Sequence, residues 1–145
     1  MGLERTANAQ WKGDLTGGSG TVSTESGVVE EATVKWSSRA EQADQNTSPE
    51  ELIAAAHASC ISMALAHGLA EAGNEPRQLD TEATATFDQV DGGFKMTTMQ
   101  ITIRGQVDGL EENAFRKAAE DAAENCPVSQ ALKGNVEVTL DASLV

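Results

Sequence analysis

The segment SPEELIAAAHASCISMALAHGLAEAG, residues 48–73, constrains the fold more than any other stretch. Ser48 suits an N-cap, Pro49 the first helical position, and Glu51 falls at the third, where a capping box needs an acid. Gly73 suits the C-terminal stop. The predicted helix therefore begins at Pro49 and runs to about Ala72. Its middle holds Leu52, Ile53, Ala54, Ala55, Ala56, Ala58, Ile61, Met63, Ala64 and Leu65. That leaves no polar face, so the helix is expected to be covered on several sides. Its many alanines let another backbone approach closely.

Around this helix the pattern is strand-like. NAQWKG, GTVSTES and ATVKWSS read as short strands broken by glycines, with Ala32 to Trp36 inside the third, and RAEQADQNT reads as a polar loop. DTEATATFDQV and FKMTTMQITIRGQV alternate, and Asp91-Gly92-Gly93 joins them as a hairpin. Leu110 to Asn125 is a predicted amphipathic helix with the stripe Leu110, Ala114, Phe115, Ala118, Ala119, Ala122 and Ala123. CPVSQALKG predicts a short helix, and NVEVTLDASL a last strand with Val136, Val138, Leu140 and Ala142 on one face. Strands grouped in threes and twos, not alternating with helices, imply an α+β fold. The length of 145 residues implies one domain over residues 1–145.

Charge narrows the function. With 23 Asp and Glu against 10 Lys and Arg, the net charge is −13. Such a surface repels phosphate backbones, so no nucleic-acid partner is expected. No apolar run free of charge is read as reaching the roughly 18 residues of a membrane span, so no membrane role is expected. MGLERTANAQ lacks the apolar core of a signal peptide, and a cytoplasmic location follows as the expectation.

Two cysteines do not make a disulfide framework. Cys60 lies mid-helix in an apolar stretch, where burial alone would leave it inert. It needs a nearby positive charge to be nucleophilic. Cys126 precedes Pro127 at the start of a helix, where free N–H groups favour a thiolate. Glu50 has no capping task and is free to orient a cation. His57 shares a helix face with Cys60, and with His67 and Cys126 it would complete four metal ligands. That spacing fits no standard zinc pattern, so no metal is expected. Each of these residues also has an ordinary reading, as core thiol, first-turn acid or satisfied histidine.

WKGDLTGGSGTVSTESGV, then NTSPEELIAAAHASCISMALAHGLAEAG, then ENCPVSQALKG together resemble the OsmC branch of the OsmC/Ohr family, the thiol-dependent organic hydroperoxide reductases. The resemblance implies antiparallel sheets around a long central helix and an intertwined dimer. It implies that Cys60 is the peroxidatic cysteine and Cys126 the resolving one, with an activating arginine held by a glutamate. Glu50 matches that glutamate, and Arg39 in WSSRAE matches the arginine of this branch. No cofactor is implied. The partners implied are an organic hydroperoxide and an external dithiol, with the lipoyl type a candidate. Ile61, Met63 and Phe115 are candidates to line an apolar site, and each of them also reads as plain core. Two alternatives share the fold: a redox sensor, and a binder of small apolar ligands without turnover.

Helix geometry adds a reason for the dimer. Glu50 and Cys60 are ten residues apart, or roughly 15 Å along a helix axis and about 80° apart in rotation. Two copies of the helix packed antiparallel would set Glu50 of one chain near Cys60 of the other.

Overall fold

Ten elements follow one another in the computed structural model, which describes residues 1–145. They are β1 (Ala7–Lys12), β2 (Ser19–Thr24), β3 (Ala32–Val34), α1 (Trp36–Ala40), α2 (Pro49–Glu71), β4 (Gln78–Val90), β5 (Gly93–Gln106), α3 (Glu112–Asn125), α4 (Pro127–Leu132) and β6 (Glu137–Leu144). The chain divides into two compact units, Met1–Leu52 and Ile53–Val145.

In the first unit β1, β2 and β3 form an antiparallel meander. Its register aligns Ala9 with Val22 and Ala32, and Trp11 with Gly20 and Val34. Side chains two apart on a strand share a face, so Trp11, Val22 and Val34 stand together. A Cβ on Gly20 would meet the Trp11 ring 2.8 Å away, so the glycine makes room for the indole. The third strand is shorter than the sequence suggested. It ends at Val34, whose partner Gly20 is the second residue of β2, so little strand remains to pair with. Residues from Trp36 onward therefore satisfy their backbone locally, as the one-turn helix α1 and not as strand and loop.

Helix α2 has the boundaries its signals specify. Ser48 Oγ accepts the Glu51 N–H at 3.1 Å, a cap whose loss costs about 1 kcal/mol. Only half of the capping box forms, because Glu51 Oε1 accepts a 2.9 Å bond from the Thr47 hydroxyl. At the other end Gly73 has φ +83°, and the Asn74 and Gly73 N–H groups reach back to the Leu69 and Ala70 carbonyls. That is a Schellman ending.

One expectation about α2 fails. Leu52 to Ala70 contains no Asp, Glu, Lys or Arg, so the helix does have the length and composition of a membrane span, with mean hydropathy 1.5. The core helix of a water-soluble fold meets the same test, and Ile61, Leu65 and Leu69 lie in the core of the second unit. The two histidines and the serines interrupt the run to the eye without adding a charge.

The second unit is built on a sheet of order β4-β5-β6. Asp91 and Gly92 have φ +50° and +78°, the left-handed pair of a tight hairpin turn. The sheet is mixed, not antiparallel throughout, because β6 runs parallel to β5. The α3-α4 connection carries the chain back before β6 enters, as a parallel neighbour requires. One sheet face bears Met99, Ile101, Ile103 and Ala142, packed with Ile61, Leu65, Leu69, Phe115 and Ala119. The other bears Asp80, Glu82, Thr102, Arg104 and Asp141, with Arg104 and Asp141 paired at 2.8 Å. Phe115 is fully buried on Gly105, where a Cβ would run into its ring. Truncating that ring to alanine costs about 3–5 kcal/mol.

Candidate active site

Two clusters gather the sequence-predicted residues, one in each unit. In the first unit α1 places Arg39 opposite the first turn of α2. Arg39 Nε donates to both Glu50 carboxylate oxygens at 3.1 Å, and its Nη2 donates to Oε1 at 2.8 Å. The Glu50 side chain is only 10% exposed and the Arg39 side chain 35%, so the pair is partly screened from water. A forked guanidinium–carboxylate contact of this kind fixes the cation's orientation as well as its position. The loop between the two helices is itself pinned. The Ser38 hydroxyl and the Asn46 N–H both donate to Asp44, at 2.9 and 2.8 Å. Those bonds, the Asn46 N–H first, hold the Asp44 carboxyl below its ordinary value.

Beside Arg39 lies an apolar concavity of about 540 Å³ walled by Trp11, Leu15, Val34, Trp36 and Leu52. It differs from the lining expected from the sequence. Ile61 and Phe115 are 0% exposed and belong to the core, while Met63 is 68% exposed on the outer side of α2. The signal that could have found the concavity is the placement of the chain's 2 tryptophans, both of which line it.

In the second unit α2 and the α3-α4 junction bring the two cysteines together, both free. Cys126 is the joint itself. Its N–H closes α3 on the Ala122 carbonyl at 2.9 Å, and it is also the N-cap of α4. Cys126 is fully buried and Cys60 half-buried. The two thiols are close enough to act on each other, and they shift in opposite directions. Burial raises the Cys60 thiol, Cys126 raises it further, and the Val128 N–H offsets only part of this. Burial also acts on Cys126, but it is outweighed by the Cys60 thiol, the Ser129 N–H and hydroxyl, and the Val128 N–H. Cys126 therefore sits below its ordinary value. The N–H groups of Ser129 and Val128 contribute to that lowering.

The remaining candidates separate. His57 is buried with Nε2 2.7 Å from Ser129 Oγ, and His67 is exposed one face away. No three or more His, Cys, Asp or Glu side chains gather in a metal-ligating group. Ser129 was not singled out in the sequence. The Cys-Pro-Val-Ser spacing that puts it three residues after Cys126 is the signal that could have found it.

Residues 42–141 match the family described as OsmC-like protein. The chain belongs to the OsmC family. It is 43% identical over 144 residues to the peroxiredoxin OsmC of Escherichia coli strain K12, covering 99% of each. It is 30% identical over 126 residues to the organic hydroperoxide resistance protein OhrB of Bacillus subtilis strain 168, covering 86% of this chain and 90% of that one. The crystal structure of OhrB of Bacillus subtilis superposes with a TM-score of 0.74 at 27% identity, over 95% of this chain and 98% of that chain. OsmC membership thus rests on the whole length of the protein and on an α+β fold shared with solved relatives.

Proposed function

We propose that this OsmC-family protein is a thiol-dependent peroxidase that reduces organic hydroperoxides to alcohols. The observation that carries this reading is the juxtaposition of two free thiols, Cys60 on α2 and Cys126 at the α3-α4 junction, each close enough to shift the other. Accessibility supports the roles. Peroxide reaches the half-buried Cys60 before the fully buried Cys126. The Cys60 thiolate attacks the distal peroxide oxygen, the O–O bond breaks, and the alkoxide leaves and takes up a proton as alcohol. Cys60 becomes a sulfenic acid, and Cys126 condenses with it to a disulfide and water. An external dithiol, with the lipoyl type a candidate, returns both thiols and leaves as its own disulfide. No metal or organic cofactor is needed for any of these steps.

Cys60 needs a cation to ionise, since its surroundings in the second unit raise it. Arg39, oriented by Glu50, is the cation of this reading. Glu50 and Cys60 lie on one helix ten residues apart, or roughly 15 Å along its axis. The reading therefore places Arg39 and Glu50 of one chain beside Cys60 of a second chain in a homodimer. The outer stripe of α2, with Ala55, Ala56, Ser59 and Met63 exposed, supports close approach by a second copy. The apolar concavity beside Arg39 supports an alkyl hydroperoxide over hydrogen peroxide. The whole chain, residues 1–145, acts as one OsmC-like domain in the cytoplasm.

The test is consumption of cumene hydroperoxide with dithiothreitol as reductant. Wild type turns over, and Cys60→Ser falls to the rate of buffer, because a serine hydroxyl cannot replace a thiolate at neutral pH. A Cys60→Ser variant as fast as wild type would overturn the assignment.

A further inference from the structure

We propose that Asp44 is a positioning residue for the peroxide step, latching Ser38 so that helix α1 presents Arg39 in one fixed orientation. The proposal rests on the peroxidase reading above, in which Arg39 activates Cys60, and deepens it by giving Asp44 and Ser38 a task. Neither residue meets the peroxide in this scheme. Both act through Arg39.

Helix α1 cannot hold itself. It has five residues, and its N-cap Lys35 makes no side-chain cap. A single helical turn is unfavourable alone, because nucleation fixes several residues for one hydrogen bond. Glu50 grips Arg39, but one grip fixes a point and leaves the helix free to roll about it. Ser38 directly precedes Arg39 and projects about 100° away around the axis. A second grip at Ser38 therefore sets the roll. Ser38 is buried, and its hydroxyl donates to Asp44 Oδ2 at 2.9 Å. The Asn46 side-chain amide donates to the same carboxylate oxygen at 3.2 Å and to Ser38 Oγ at 3.3 Å. Ser38, Asp44 and Asn46 thus close a ring of side chains. The other Asp44 oxygen accepts the Asn46 backbone N–H at 2.8 Å.

The ring is itself anchored. Thr47, the next residue, donates its N–H to the Thr33 carbonyl on β3 at 3.1 Å and its hydroxyl to Glu51 on α2 at 2.9 Å. Connections therefore run from the first turn of α2 through Thr47, Asn46 and Asp44 to Ser38, and from Arg39 back to the first turn of α2 at Glu50. An acid suits position 44 because its oxygens face donors from Ser38 and Asn46, and an ionised carboxylate only accepts. The Asn46 N–H and the Ser38 hydroxyl also favour that ionised form. A guanidinium set in place beforehand stabilises charge developing on the peroxide oxygens without reorganising at the moment of reaction. Releasing Ser38 keeps the cation on Glu50 but lets its direction wander.

The experiment compares wild type, Asp44→Ala, Ser38→Ala, Arg39→Ala and the double variant Asp44→Ala/Arg39→Ala. Alkylation of Cys60 is measured against pH by peptide mass, and sulfenic acid formation is timed after one equivalent of cumene hydroperoxide. Asp44 is exposed, so its replacement leaves the fold in place. Asp44→Ala and Ser38→Ala each slow the peroxide step about tenfold, the scale of a small misplacement of a catalytic group, and move Cys60 alkylation to higher pH. In a protein already lacking Arg39, Asp44→Ala adds no further slowing. A Cys60–Cys126 disulfide formed with diamide is reduced by dithiothreitol as fast in both single variants as in wild type. Wild-type alkylation profiles and peroxide rates in Asp44→Ala or Ser38→Ala, with the Arg39→Ala profile displaced, would overturn the latch alone. Further slowing in the double variant would also overturn it, since Asp44 would then act by another route. Equal slowing of disulfide reduction would overturn it as well, by marking a general loss of structure. A wild-type profile in Arg39→Ala would overturn the reading of Arg39 as the activating cation and the latch with it, a result distinct from the others.

Discussion

Cys126 pushes the accessible Cys60 thiol up, after burial, while Cys60 pulls the buried Cys126 thiol down, so the accessible cysteine is the one less ready to ionise. This arrangement is opposite to what the first chemical step requires. The proposed mechanism resolves it by bringing in a cation. Arg39, gripped by Glu50 through both carboxylate oxygens, is built to supply one. In the proposed dimer the guanidinium beside Cys60 favours its thiolate, which is the proposed nucleophile.

Removing the resolving thiol leaves the first step intact. Cys126→Ser is expected to reduce one equivalent of peroxide and then stop, with a sulfenic acid at Cys60 that dimedone traps. Sustained turnover of this variant with dithiothreitol would show that another group resolves the sulfenic acid.

Arg39→Ala is expected to keep the fold, because the Arg39 side chain is partly exposed. The rate of the peroxide step falls about 100-fold, the scale of losing one preorganised electrostatic partner of the developing charge. The alkylation rate of Cys60 against pH moves to higher pH. Identical alkylation profiles for the two proteins would remove Arg39 from the mechanism.

His57 links stability to pH. Its pKa is lowered in the fold by burial, so the unfolded chain binds the proton more readily than the folded one. The stabilisation is therefore complete above the unfolded value of 6.5 and is lost as pH falls through the lower folded value. Urea unfolding of wild type at descending pH shows this loss superimposed on that of the carboxylates. His57→Gln cannot bind the proton, so its stability falls less over the same range. Equal acid losses in the two proteins would contradict a buried neutral His57.

What could be read from the sequence was whatever is encoded locally. The ends of α2 follow from Ser48, Pro49 and Gly73, whose effects act within a turn of themselves. The partnership of Arg39 with Glu50 was legible only through the family resemblance, since the two are eleven residues apart across a loop. Helix α1 was not legible, because Trp36 and its neighbours carry strand propensity, and only the end of β2 deprives them of a partner. The parallel pairing of β6 depends on how α3 and α4 return the chain, which no local pattern records. Ile61 and Phe115 were expected to line the site for their apolarity, yet the same apolarity buries them in the core. His57 was weighed as a metal ligand because Ser129, its actual partner, is 72 residues away.

The central claim is that each active site joins Cys60 of one chain to Arg39 and Glu50 of another. Its most direct test mixes two inactive proteins, Cys60→Ser and Glu50→Ala, by unfolding and co-refolding, followed by isolation of the heterodimer with distinct affinity tags. The heterodimer holds one site with an intact Cys60, Arg39 and Glu50, and one site lacking both Cys60 and Glu50. The account predicts that cumene hydroperoxide turnover returns to about half the wild-type rate per dimer, one site of two being whole. A verified heterodimer as inactive as its parents, or a protein that sediments as a monomer while turning over, would contradict it.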